Sequence, residues 1–226
     1  MPHTELKQTL ADAIRMMERA KITDFSGHFS VRVPGTDYLM INSAKSVRSA
    51  LTVDDIVTID MDGKLVEGVD TPPMEFHIHT EIYRRRKDVQ AVAHAHAMWS
   101  TFFTMAGVPV KPVMPTAAVL GEIRVFPRPD SINYKSIAEE LAAALGARKI
   151  ILLRSHGAVI AAEGVIEAFV LAAYLEENAY RQYMASQLGE PYRLTEDEIK
   201  LMAKNLWKPH LIKKTWDYHY RKLMQE

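Results

Sequence analysis

The chain has 226 residues, 48% of them apolar, which is enough to bury the core of one large domain and excludes a disordered or fibrous protein. Its 28 basic and 28 acidic residues cancel to a formal net charge of zero, which argues against a whole-protein electrostatic grip on nucleic acid or an anionic membrane. There is no cysteine, so disulfides, thiolate metal sites, iron–sulfur clusters and cysteine nucleophiles are excluded, and any metal must be held by nitrogen and oxygen. A small molecule or another protein is the partner that remains.

Leu6, Leu10, Ile14 and Met17 recur at helical spacing behind Thr4, predicting a surface helix that ends near Ala20. No signal-peptide pattern precedes it, and the longest uncharged stretch, Val89 to Val110, carries Gln90, His94, His96 and Pro109 and is too polar to cross a membrane. A cytoplasmic protein is expected. Phe29, Val31 and Val33 alternate with polar residues, 38–42 is a short apolar run, and 56–60 pairs with 64–66 through Asp62-Gly63, together an antiparallel meander. Thr71-Pro72-Pro73 breaks the chain and delivers a helix over 74–86, with Glu75 on its first turn and Ile78, His79 and Ile82 sharing its face.

Residues 88–97 alternate again, 99–105 reads as helix, and a proline-rich loop runs to Pro129. A helix over 131–145 is stopped by Gly146, 149–154 is a buried strand, and a short strand over 158–161 leads to a long helix over 165–188. A last helix opens with Thr195 and Glu198 in capping-box spacing. With no repeat and no Gly/Ser-rich linker, residues 1–226 read as a single α/β domain whose segment 190–226 is a helical tail.

Period two in Ala91-Val92-Ala93-His94-Ala95-His96-Ala97 sends both imidazoles to one sheet face and small alanines to the other. Such a pair can chelate one cation, or simply be surface or hydrogen-bonded core histidines. His156 follows an apolar strand directly, and Gly157 after it permits close backbone approach. Three neutral imidazoles with an open position would describe a catalytic rather than a structural metal. Glu75 is either a carboxylate stabilised by a helix dipole or a general acid/base that also reaches the metal. His79 reads as a packing or supporting histidine, His77 points elsewhere, and His3, His210 and His219 have no partner the sequence identifies.

Gly27-His28-Phe29-Ser30-Val31-Arg32, then Pro73-Met74-Glu75 followed by His79 and Tyr83, then His94-Ala95-His96, then His156-Gly157 and a long helix with Leu175-Glu176 resemble the class II aldolase and adducin-head family from Leu6 to Met184. The resemblance implies a mixed, mainly antiparallel sheet between helix layers and a homotetramer with active sites between subunits. It also implies one divalent metal per subunit, zinc or manganese first and iron or cobalt as alternatives, on His94, His96 and His156. Glu75 would be the catalytic acid/base that can also touch the metal, and Gly27, His28, Ser43 and Met74 would line the substrate.

The sugar-phosphate members of that family grip phosphate with Gly-Asn, Ser-Gly and Ser-Ser pairs, whereas here stand Gly27-His28, Ser43-Ala44 and Pro73-Met74. The neighbour-subunit tyrosine of the aldolases would fall near Thr116-Ala117, where there is none. These departures resemble the branch of metal-dependent decarboxylases that act on hydroxylated aromatic or pyridine carboxylates. His28 would bind a carboxylate and Met74 would face a ring. The expectation is therefore a carboxy-lyase. The alternative is an aldolase or epimerase on a small sugar phosphate such as L-fuculose or ribulose phosphate, held through Ser43 and Lys45. Non-enzymatic adducin-type modules would lack the histidine set that this chain keeps, and a nucleic-acid role for the basic run 84–87 is not favoured. Trp207, Trp216, Tyr218 and Tyr220 near the carboxyl end are expected to cover a neighbouring subunit's site.

Overall fold

The computed structural model describes residues 3–225. Eight strands form one sheet: β1 (His28–Arg32), β2 (Leu39–Asn42), β3 (Ile56–Ile59), β4 (Leu65–Glu67), β5 (Ala91–Ala95), β6 (Arg124–Phe126), β7 (Ile150–Leu153) and β8 (Gly157–Ala162). Their spatial order is β4-β3-β2-β1-β5-β8-β7-β6, and every neighbouring pair is antiparallel except β6 and β7. Seven helices accompany it: α1 (Thr4–Arg19), α2 (Phe76–Arg85), α3 (Met98–Ala106), α4 (Lys135–Leu145), α5 (Val165–Ser186), α6 (Glu196–Leu206) and α7 (Pro209–Leu223).

The pleat divides the core in two. Phe29, Val31, Ala91, Ala93, Ala95 and Ile160 point to a layer filled by α1, α3, α5 and α7. Leu39, Ile41, Val57, Val92, Ile151 and Val159 point to the opposite layer, filled by α2 and α4. The alanines of β5 let α5 lie close on one face, while Val92 and His94 face the α2 side, as the alternation requires. The fold is thus the expected single-domain α/β sandwich, with the mainly antiparallel sheet between two helix layers.

Several local expectations are corrected. Glu75 occupies the N-cap position of α2 instead of its first turn, and its side chain caps nothing. Helix α4 starts at Lys135, not Ser131, because Ile132 is buried ahead of it in extended chain. The proline-rich loop holds a 3-10 turn over Pro115–Leu120 and the edge strand β6, whose exposed Arg124 and Val125 give no alternation to read. The tail is two helices: α6 has the expected Thr195–Glu198 capping box, and Pro209 opens α7 at a position where a missing N–H costs nothing.

The tail also folds back on its own chain. Ile212, Trp216 and Leu223 of α7 are buried in the first core layer, with the Trp216 ring edge-on to Phe169 of α5 at 5.5 Å. The Tyr174 hydroxyl of α5 meets Thr215 at 2.9 Å. Trp216 is therefore core rather than a free cover for a neighbour, and Tyr218 is the exposed member of the set. Among the described residues no helix is long and apolar enough to cross a membrane.

Candidate metal centre

His94 stands on β5 and His96 just beyond its end, both on the α2 face; β1 lies beside β5 with His28 opposite His94, and β8 lies on the other side. Two glycines let these chains close up. A Cβ on Gly157 would sit 2.3 Å from the Ala95 carbonyl oxygen, and Gly27, at φ 92°, would put one 2.9 Å from the His94 carbonyl oxygen. The turn between β7 and β8 then swings His156 to the same end of the sheet, with Ser155 in the left-handed region at φ 54° and its N–H bound to the Thr104 hydroxyl. From across the layer, the N-cap of α2 delivers Glu75.

Glu75, His94, His96 and His156 each present one ligand atom, and these atoms all lie within 4.8 Å of one another. The Glu75 carboxylate lies 3.5 Å from His94 Nε2 and 3.8 Å from His156 Nε2. The set fits a divalent cation on the chemistry of its donors. His94 Nδ1 donates to the Ala158 carbonyl at 3.1 Å, which leaves Nε2 as a bare lone pair, buried and without a hydrogen-bond partner. Burial holds the pKa of His94 well below 6.5 and lowers that of His156, so both are neutral and able to bind a metal at physiological pH. Burial pushes Glu75 up, but the adjacent His28 and His94 rings and the Ile132 N–H outweigh it and hold the carboxyl far below its usual range. Glu75 Oε1 accepts that Ile132 N–H at 2.7 Å.

Around this group, Asp24 Oδ1 lies 3.5 Å from His96 Nδ1, on the nitrogen that a metal would not use if Nε2 faced it. Glu176 of α5, buried, accepts the N–H groups of Trp99 and Ser100 at 2.8 Å each and so fixes the start of α3 directly after the His-x-His segment. A cavity of about 450 Å³ opens beside His96 and His156, and Met98, Phe102 and Met105 of α3 form its far wall.

Of the residues expected to line the substrate, His28 joins the cluster, with Nε2 3.6 Å from Glu75. Gly27 carries it there, its carbonyl held by the buried Arg48 at 2.8 Å. Ser43 does not reach the cluster. It is buried in a turn, with its N–H on Asp55 and its carbonyl on the Ser46 hydroxyl. Met74 is 73% exposed at the rim, and Lys45 is turned away to Asp70 at 3.3 Å. Asp24, Arg48 and Ile132 escaped the sequence reading because each acts through a loop or the backbone, which leaves no periodic signal. His79 is the supporting histidine expected, fully buried against His28, while His77 lies tilted against Phe76 and His219 meets Phe169 edge-on.

A sheet of this order, with a carboxylate and three imidazoles meeting at the ends of its central strands, is the architecture of one enzyme-rich family. The chain belongs to the Class II Aldolase and Adducin N-terminal domain family, whose model matches residues 8–183. It is 30% identical over 152 residues to the 5-deoxy-D-ribulose 1-phosphate aldolase of Bacillus thuringiensis, covering 67% of this chain and 71% of that one. It is also 30% identical over 188 residues to the 3,4-dihydroxyphthalate decarboxylase of Arthrobacter keyseri, covering 76% and 75%. A solved L-fuculose 1-phosphate aldolase superposes with a TM-score of 0.81 at 27% identity, over 89% of this chain and 96% of that one. An aldolase II superfamily protein from Pseudomonas syringae shares the fold at TM-score 0.88 and 24% identity, over 100% and 94%.

Proposed function

We propose that the protein is a metal-dependent carbon–carbon lyase that decarboxylates a hydroxylated aromatic or heteroaromatic carboxylate. The cavity beside His96 and His156 carries the reading. Its volume of about 450 Å³ and its wall of Met98, Phe102 and Met105 suit a planar ring better than a polyhydroxylated chain. Among the described residues the polar partners of Glu75 are the imidazoles of His28, His94 and His156 and the Ile132 amide, while Lys21, Thr23, Thr101 and Ser155 also line the cavity and are the groups a phosphate would use in the second reading.

His94, His96, His156 and Glu75 would hold the cation, which supplies electrophilic stabilisation of the charge that carbon–carbon cleavage leaves on the substrate. Glu75, held ionised, takes the proton of a substrate hydroxyl. The carboxylate carbon leaves as carbon dioxide, its bonding pair stays on the ring carbon, and Glu75 returns the proton there.

An aldolase or epimerase on a small sugar phosphate is the second reading, favoured by the resemblance to 5-deoxy-D-ribulose 1-phosphate aldolase. The two separate in one assay. Protein loaded in turn with zinc, manganese, iron or cobalt is given dihydroxybenzoates, hydroxypyridine carboxylates, L-fuculose 1-phosphate and ribulose phosphates, with carbon dioxide and aldehyde both measured. Carbon dioxide from an aromatic acid is expected. Aldehyde from a sugar phosphate with no carbon dioxide from any acid replaces the decarboxylase reading by the aldolase one.

A further inference from the structure

The three imidazoles of the centre are not held alike. His94 Nδ1 is tied to the Ala158 carbonyl at 3.1 Å, and His96 Nδ1 has Asp24 3.5 Å away. His156 Nδ1 is buried and makes no hydrogen bond to any described residue, although the Asp130 backbone lies near its ring. What seats His156 must therefore act through its main chain. That main chain is the turn between β7 and β8, closed by the His156 N–H on the Leu153 carbonyl at 3.2 Å. Within it Ser155 stands at φ 54°, a left-handed conformation that is sterically costly for a residue with a Cβ.

One side chain from outside the turn meets it. Thr104 of α3, buried, accepts the Ser155 N–H on Oγ1 at 2.8 Å and donates its own hydrogen to the Thr101 carbonyl at 2.7 Å. The hydroxyl is thereby oriented by its own helix, with a lone pair left toward the turn. Helix α3 opens at Met98, directly after His96-Ala97, and Glu176 clamps that opening through the Trp99 and Ser100 N–H groups. One helix thus continues from the strand end that bears His96 and, further along, carries the acceptor that meets the residue before His156. The two rings it relates lie 5.1 Å apart.

We propose that Thr104 is a positioning residue of the metal centre: by holding Ser155 in its left-handed conformation, it sets where His156 stands relative to His96. The proposal rests on the reading of the cluster as a divalent-metal site. Thr104 is not among the residues that line the cavity, whereas Ser155 and His156 both are. Without the Thr104 acceptor, Ser155 is free to relax toward negative φ. A backbone rotation immediately before His156 swings the whole imidazole, because no hydrogen bond at Nδ1 restrains the ring. Glycine at position 155 would relax far less, since the left-handed region is as open to it as the right-handed one.

Cobalt(II) binding to protein stripped of metal, followed by the visible absorption of the bound ion, tests this without turnover. Thr104→Val, nearly the same shape without the acceptor, should weaken cobalt binding about tenfold or more and alter the spectrum of the ion that still binds. Thr104→Ser should stay within about threefold of wild type. Adding Ser155→Gly to Thr104→Val should recover most of the affinity, which a mere loss of helix packing would not allow. In the wild type the Ser155 amide, although its residue is exposed, should exchange with deuterium at least about tenfold slower than a free turn amide, a reading that stands even where Thr104→Val fails to fold. Unchanged cobalt affinity and spectrum in Thr104→Val, an equal loss in Thr104→Ser, no recovery with Ser155→Gly, or an unprotected Ser155 amide would each overturn the proposal. Wild-type protein that binds no cobalt removes the metal reading and this proposal with it, whereas wild-type binding that Thr104→Val leaves intact removes the proposal alone.

Discussion

His94 and His96 each have one nitrogen beside a support, the Ala158 carbonyl and Asp24, and all three cluster imidazoles offer a ligand atom to the same point, so the loss of any ring should be felt first as loss of metal. His94→Ala, His96→Ala and His156→Ala are expected to purify folded but metal-poor and inactive, and elemental analysis beside circular dichroism checks this. Full metal occupancy with unchanged turnover in one of the three would take that residue out of the centre. Glu75→Gln keeps the shape and the Ile132 contact but cannot carry the proton, so turnover should fall on the order of a hundredfold or more while most metal remains. At this scale the sequence was most legible: the His-x-His pair on one pleat face, His156 at a strand end and Glu75 after two prolines all meet in space. What it hid was the support, because the Ala158 carbonyl and the Ile132 amide belong to the backbone and no residue type announces them.

At the scale of elements, the close approach of β5 and β8 makes Gly157 a structural requirement of the centre. Gly157→Ala places a methyl 2.3 Å from the Ala95 carbonyl and 3.3 Å from His96 Cα, so the strands must part where two ligands are borne. Metal affinity should drop by at least tenfold, more than the thermal midpoint alone would suggest, and parallel titration and melting curves read the difference. Helix α7 behaves otherwise. Trp216→Ala empties a site 9% exposed against Phe169 and should cost about 3 kcal/mol of stability by urea titration with a normal kcat in the fraction that stays folded. Truncation after Lys208 should likewise harm folding before catalysis, the reverse of what a cover over a neighbour would do. The aromatic composition of the tail had suggested such a cover, and composition cannot distinguish a ring buried against its own α5 from one buried against another chain. The edge strand β6 was missed for a related reason: three residues pairing in parallel with β7 carry neither a turn signal nor an alternating pattern.

Across the whole molecule, His28, His79 and His94 are buried in the neutral form, each with its pKa lowered chiefly by burial. The unfolded chain takes up their protons near pH 6.5, where the folded one refuses them, so the unfolded state binds more protons and stability falls as pH drops. Glu75, whose depressed pKa is lost on unfolding, adds to the fall in the same direction below about pH 4.5. The metal-free protein should therefore melt at progressively lower temperature from pH 7 toward pH 5. His79→Gln should flatten that slope even if it lowers the midpoint at pH 7. A slope steeper than wild type in that variant would mean that His79 is charged in the fold.

The central position of β5 has a consequence for how the protein is made. This strand pairs with β1, synthesised long before it, and with β8, which follows the turn bearing His156. A chain emerging from the ribosome can close the β1–β5 half while still lacking the last imidazole and the strand that seats it. Until then it offers a partial chelate of Glu75, His94 and His96 whose supporting carbonyl, that of Ala158, has not yet been translated. The complete donor set that would hold a metal therefore forms only after β8 has been made and paired with β5.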